Sequence, residues 1–452
     1  MSPRFCLTFA VCGAAVLASA QTKAPKPNAQ DVPVPTRPSI PGVASSATIP
    51  EVLSAEDAVR IAMAQQPTLE SVRQSVNAAD GRTKQLRARL LPQLGVGSTY
   101  SSSRFVGDEP RKPALNVPNG YGASASLTQL VFDSNHASDL VRQAKALKLV
   151  AQQDLARAKS DLAFQALQGY FLVGEAHRLV TVNERNVSNR DTQLKLAQSK
   201  FDSGLGGADD VLTAQTAKGN AVIALVQSRA NEDNAKASLL ETLGLDPQTP
   251  VRVGDDAAEP LSIERFDEFV AKALEKRPEV LRAKATIDAA KYGARAAKTT
   301  TTPTLSSSVN FSTSDPGFPG GGGGYGIGLT LSIPLYDGNL TAGAVQQAQA
   351  VLKSAKADLA TAQLQVRTEV TQAYYSMSGA EQQQHAADTN VANAKESLRI
   401  AEGRYKSGVG LFLDIINAQS ALLSAETAAE NARAEVSRQR SALRRAAGLL
   451  VP

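Results

Sequence analysis

Two periods of hydrophobic and polar residues alternate along the chain. Leu140, Ala144, Leu147, Ala151, Leu155, Ala158 and Leu162 step by three and four, the spacing of a helix seam. Ala344, Ala348, Val351, Ala355, Leu359, Ala362 and Val366 repeat that register. Both series predict coiled-coil-like helices whose small seam residues let neighbours approach closely. Elsewhere the period is two. In "YGIGLTLSIPL", Tyr325, Ile327, Leu329, Leu331, Ile333 and Leu335 share one face, against Gly326, Gly328, Thr330, Ser332 and Pro334. An apolar face opposite a small or polar one predicts a strand with lipid outside and water inside. Such strands are predicted over about 94–104, 121–132, 305–313 and 325–335. A soluble sandwich strand is the competing reading, but no further strands exist to build its second sheet.

The pattern occurs twice. Residues 128–244 match 332–448 at an offset of 204 without a gap, pairing Asp133 with Asp337, Tyr170 with Tyr374, Gly204 with Gly408 and Asp210 with Asp414. Upstream the offset is 211, as in Pro67 with Pro278 and Pro92 with Pro303. A tandem duplication is predicted, with structural repeats over 51–262 and 263–452, each a helix, two strands and a long helical hairpin. The segment 244–262 leaves helix between the two.

Lengths then constrain the arrangement. A helix from Asn135 to about Lys200 is on the order of 100 Å long at about 1.5 Å per residue. It turns back at "FDSGLGG", and the returning helix, 209–243, covers only about half that distance by the same rise. A helix over about 263–300 supplies the rest of the return, so strands lie at one end, glycine turns at the other, and 244–262 at the middle. Four strands per chain cannot close a barrel, and open strand edges in lipid cost several kcal/mol per unsatisfied group. Oligomerisation follows: two chains give eight strands and a lumen filled by side chains, three give twelve and room for water, and the trimer is favoured.

Composition narrows the function classes. Of 452 residues, 48 are basic and 43 acidic, interspersed along the helices without a dense basic block. Nucleic-acid binding is therefore not predicted. Arg4, the apolar run Phe5–Leu17 and Ala18-Ser19-Ala20 form a signal peptide over 1–20, too short to be a spanning anchor. Both cysteines, Cys6 and Cys12, fall inside it. The mature chain then has no thiol or disulfide, and Cys12 lacks a lipoprotein box. Residues 21–50, with seven prolines, read as a disordered linker. No cofactor, metal site or catalytic set is predicted: His136, His177 and His385 fall at unmatched places, and "PGGGGGYG" lacks the lysine of a phosphate loop.

The stretches "LSAEDAVRIAMAQQP", "LTLSIPLYDG", "KFDSGLGGADDVLTAQ" and "RYKSGVGLFLDIINAQSALLSAE" carry a resemblance in this order and spacing. They are similar to those of the TolC-like outer-membrane efflux proteins, across nearly all of 54–448. The resemblance implies a mainly α chain whose homotrimer forms a twelve-stranded barrel in outer-membrane lipid. A coiled-coil tunnel of twelve helices continues that barrel through the periplasm. It implies a passive exit duct, not an enzyme, docked to a periplasmic adaptor and an inner-membrane transporter of the RND, ABC or MFS type. A type I duct for polypeptide secretion and a structural surface coiled coil are the alternatives.

On that reading the glycine turns are the periplasmic tips, where Gly204 and Gly408 permit the backbone reversal. Asp210 and Asp414 lie in the first turn of the returning helices. They either complement the helix dipole or ring the aperture and favour cations; the family places its aperture Asp at Asp414. The resemblance also implies a latch between Tyr405 and Asp210, although Phe201 and Tyr405 equally suit packing beneath the turn. The sequence departs from the family at two places. Gly410 stands where a second latch uses Arg, and Asn417 where a second aperture Asp would be, so the ring is single. The tip surface around Leu205, Gly206, Val409, Leu411 and Phe412 reads as the adaptor-docking patch.

Overall fold

The computed structural model describes residues 51–101, 120–254, 265–315 and 322–450. The expected signal peptide and linker over 1–50, with Cys6 and Cys12, lie outside the described residues. So do strand positions 102–104, the rest of the loop to 119, residues 255–262 of the middle segment, and loop residues 316–321.

Helices α1 (Ala55–Gln65) and α2 (Pro67–Ala88) lead into strands β1 (Gln93–Ser101) and β2 (Gly120–Phe132). The hairpin α3 (His136–Asp202) and α4 (Ala208–Leu243) follows. The same order then recurs: α5 (Phe266–Lys276), α6 (Pro278–Lys298), β3 (Thr304–Asp315), β4 (Gly323–Ser332), α7 (Leu340–Lys406) and α8 (Phe412–Ala446). Each short helical arm, read from the sequence as continuous, is broken before a proline. Gln66 (ψ 116°) and Arg277 (ψ 128°) are extended, because the ring of the next residue crowds the α conformation.

These two breaks do matching work. Gln66 Nε2 donates to the carbonyls of Glu241 and Thr242, at 3.3 and 3.1 Å, in the last turn of α4. Arg277 Nη1 donates to the Ala446 carbonyl at the end of α8, and to Glu369 Oε2 at 2.6 Å. Terminal carbonyls without an intrahelical partner are thereby satisfied. Around the breaks lie two apolar cores. One gathers Leu69, Leu162, Ala166, Tyr170 and Leu239; the other gathers Val280, Val366, Val370 and Leu443, with Tyr374 against it. Leu53 docks the chain beyond α4 by pairing with Val253, its N–H bonded to the Arg252 carbonyl at 2.8 Å.

The four strands form one antiparallel sheet in chain order, β1-β2-β3-β4. Register builds two unlike faces. Leu94, Leu127, Val309 and Ile327 make one cross-strand row, and Val96, Ala125, Phe311 and Tyr325 the next. The opposite face carries rows such as Gly95, Ser126, Asn310 and Gly326. Within the chain the apolar face is uncovered, with Val96 82% and Tyr325 84% exposed. Strand β4 stops at Ser332, before the alternation does, and Pro334 has no N–H with which to continue the ladder. At each strand-to-helix junction an aspartate holds the new helix: Asp133 accepts from the Ala137 N–H and Asp337 from the Thr341 N–H. No helix of the described residues is long and apolar enough to cross a membrane.

The helices extend the order of the strands. Near the sheet, α2, α3, α6 and α7 pack as successive neighbours; towards the hairpin tips the order is α4, α3, α8, α7. The outer helices of the chain keep apolar residues exposed, among them Leu212, Ile223 and Val226 on α4 and Val351, Leu364 and Tyr375 on α7.

Arg277 is 4% exposed and serves Glu279, Glu369 and the end of α8 at once. Substituting Arg277→Ala strands both carboxylates and the carbonyl. The expected loss is about 3 kcal/mol, the low end for breaking a buried pair because the carboxylates keep partial exposure. Arg277→Gln, which restores the donor found at Gln66, should lose clearly less; chemical-denaturation midpoints of the two variants check this order.

Candidate functional site

At the far end of each hairpin the same turn closes the long helix. Gly204 N–H bonds the Phe201 carbonyl and Leu205 N–H that of Lys200, both at 2.9 Å; Gly408 and Val409 repeat this on Tyr405 and Arg404 at 3.1 and 3.0 Å. These are the paired bonds of a Schellman ending, and they need a left-handed residue. Gly204 and Gly408 provide it at φ of 72° and 81°. Gly410 is required for a different reason: a Cβ there would meet the Arg404 Cβ at 2.9 Å and backbone atoms of Arg404 and Tyr405 at 3.1 Å.

The matching aspartates then diverge. Asp414 turns back on its own helix and accepts from the Leu411 N–H at 3.3 Å, capping α8. Asp210, at the same place on α4, faces the other hairpin and accepts from the Tyr405 hydroxyl at 3.1 Å. The reciprocal bond cannot form, because Phe201 stands at the position matching Tyr405 and is exposed. Lys200 adds a second cross-tie. Its ammonium donates to the Tyr405 carbonyl and lies 4.0 Å from the ring centroid. Burial, then the Asp210 hydrogen bond and the charges of Asp210 and Asp209, push the Tyr405 phenol up to about 12.

Beneath the turns is a small core. Tyr405, Phe412, Ile415, Ala401 and Ala418 of the second hairpin pack on Ala197, Val211 and Ala214 of the first. Here the docking patch inferred from sequence needs correction. Leu205, Val409 and Leu411 are exposed, at 79%, 72% and 69%, but Phe412 is 2% exposed. Its ring sits 5.4 Å from that of Tyr405, so it fills the joint between hairpins and presents no surface. Gly206 is partly covered and Gly410 lies against the end of α7. Asp414 and Asn417 are exposed one turn apart on α8.

One layer further from the tips is a polar cluster not anticipated from sequence. Arg190 donates to Ser420 Oγ at 3.0 Å and to Gln193 Oε1 at 3.3 Å; Gln419 links Gln193 to Asn186 at 3.4 and 3.5 Å. Burial pulls the Arg190 guanidinium below its usual range. Asn186, Arg190 and Gln193 follow the four-and-three spacing of a seam, which is the signal that could have located them. Beyond this layer, ion pairs join α3 to α8: Arg185–Glu426, Arg178–Glu430, Arg438–Glu175 and Arg445–Asp161.

Comparison with known proteins gives this geometry a family context. A family described as "Outer membrane efflux protein" matches residues 58–245 and 269–449. The chain is 25% identical over 376 residues to the outer membrane efflux protein BepC of Brucella suis, covering 81% of this chain and 79% of that protein. It is 23% identical over 414 residues to the alkaline protease secretion protein AprF of Pseudomonas aeruginosa, covering 87% and 84%. Among solved structures, the outer membrane protein VceC of Vibrio cholerae superposes with a TM-score of 0.75 at 18% identity, over 87% of this chain and 96% of that one. That last likeness is one of fold.

The raised Tyr405 value fixes the sign of its pH dependence. A phenol whose folded-state value lies above its ordinary value, about 10, contributes fully below that value and is lost as pH rises through about 12. The Tyr405–Asp210 bond should therefore be intact at neutral pH and fail only in that alkaline window. Ultraviolet phenolate titration, read as the difference between wild type and Tyr405→Phe, measures it. Asp210→Asn should move the titration down towards the ordinary value.

Proposed function

Because the chain belongs to the outer membrane efflux protein family, we propose that it is the exit duct of a tripartite efflux system in the outer membrane. It passively conducts cargo delivered by an inner-membrane pump through a periplasmic adaptor. The observation that carries this reading is the open sheet. Strands β1 and β4 are both edges of the described sheet, and one face carries adjacent apolar rows, Leu94–Leu127–Val309–Ile327 and Val96–Ala125–Phe311–Tyr325. In lipid those edges must pair, and in a homotrimer β1 of each chain meets β4 of the next to give a barrel of twelve strands. The exposed apolar residues of α4 and α7 find their partners in the same contacts.

The hairpin tips form the gate. Three copies of Asp414 ring the mouth and favour cations. Tyr405 and Lys200 hold the second hairpin to the first, and opening means releasing these ties. Leu205, Val409 and Leu411 are the apolar contact offered to the adaptor. A second reading, a duct for polypeptide secretion, is supported by the likeness to a protease secretion protein. It shares every structural feature, and the inner-membrane partner decides between them. Loss of this chain would retain small toxic compounds in the first case and a polypeptide in the second.

Planar-bilayer recording tests the duct. Purified protein should be trimeric and give discrete conductance steps; a detergent-independent monomer that stays silent even with Asp210 and Asp414 neutralised would sink the reading. Tyr405→Phe removes a hydrogen bond to a charged group, about 1.5–3 kcal/mol, and should raise closed-state conductance. Asp414→Asn leaves an acceptor for the Leu411 N–H but no charge, so cation selectivity should fall while trimer stability is nearly unchanged. Unaltered ion preference would reduce Asp414 to a helix cap.

A further inference from the structure

Where α2 and α3 run side by side below the sheet, a groove of about 490 Å3 opens between them. Lys84 and Arg87 line one wall, Lys145 and Lys148 the other, and Asp80 is the acid among them. That carboxylate is already saturated. Lys148 and Lys84 approach its two oxygens at 2.6 and 2.9 Å and hold it down to about 2. Arg87 and Lys145 have no ion pair among the described residues. Four cations thus face one neutralised acid.

Helix-dipole compensation accounts for Arg87, in the last turn of α2, but not for Lys145 and Lys148 within α3. Nor is the cluster a by-product of the repeat. The positions matching Lys84 and Arg87 are Arg295 and Lys298, while those matching Lys145 and Lys148 are Gln349 and Leu352, so the second half lacks the facing wall. The height of the groove is informative. Leu91 and Leu94 follow Arg87 closely in the chain, and both are exposed, as is Phe132; Leu94 and Phe132 lie at the helix-side ends of β1 and β2, where the apolar face of the sheet begins.

We propose that this groove binds the phosphate of an anionic phospholipid of the periplasmic leaflet, with the acyl chains lying on Leu91, Leu94 and Phe132. The proposal rests on the sheet being embedded in lipid. A soluble anion would meet only exposed cations in competition with water. A lipid adds the burial of its chains against the adjoining apolar surface, and each basic residue near an anionic surface contributes on the order of 1 kcal/mol, or a factor of about five.

The test uses the full-length trimer in bilayers of phosphatidylcholine with a fraction of phosphatidylglycerol, followed by native mass spectrometry of retained lipid. Wild type should retain phosphatidylglycerol over phosphatidylcholine. Arg87→Gln with Lys145→Gln, which breaks no ion pair, should reduce that retention by roughly thirty-fold, whereas Lys353→Gln on α7 should not. Equal retention by the double variant would overturn the site. Displacement of phosphatidylglycerol by inorganic phosphate alone would assign the groove to a free anion and overturn the lipid source. Failure of every form to enter the bilayer would overturn the membrane reading, and this site with it.

Discussion

Unpaired backbone along two strand edges is the constraint on which the rest of this protein depends. Among the described residues the sheet begins at β1 and ends at β4, each with a free row of N–H and C=O groups. Water could satisfy them, but the rows of Leu, Val, Ile, Phe and Tyr on one face belong in lipid, where water is absent. Identical neighbours are the available partners. On the reading proposed above, a sheet left open within one chain closes into a ring, and the small and polar opposite face becomes its lining.

The helices inherit that order. Near the sheet the succession α2, α3, α6, α7 follows β1 to β4, so the order of the sheet continues into the helices. At mid-length each half is tied by a side chain that precedes a proline, Gln66 or Arg277, to the end of a returning helix. The two ties have unequal chemistry. Gln66 gives neutral bonds, whereas Arg277 brings a buried charge balanced by Glu279 and Glu369.

Towards the tips, cohesion between the hairpins changes in kind. Ion pairs link α3 to α8 along the stretch from Asp161 to Arg185, then a hydrogen-bonded polar layer around Arg190 and Gln419, then a few apolar side chains and one phenol bond. The matching turns are not equivalent: a single hydroxyl distinguishes Tyr405 from Phe201, and it decides which hairpin clasps the other.

Much of this was legible in the residues. Period-two and period-3.6 patterns placed strands and helices because alternation and seam spacing are local consequences of backbone geometry. The glycines at 204 and 408 announced the reversals because left-handed backbone disfavours other side chains. What escaped depends on neighbours remote in sequence. Phe412 looks like surface when read beside Leu411, yet it is buried because Tyr405 and α3 approach it from elsewhere. Asp210 and Asp414 occupy matching positions, but only the packing of one hairpin on the other sends one carboxylate across and folds the other back. Chain order and periodicity determined the elements and their repetition; tertiary structure decided which side chains meet, because burial and partner choice are set by surfaces that come together from opposite ends of the chain.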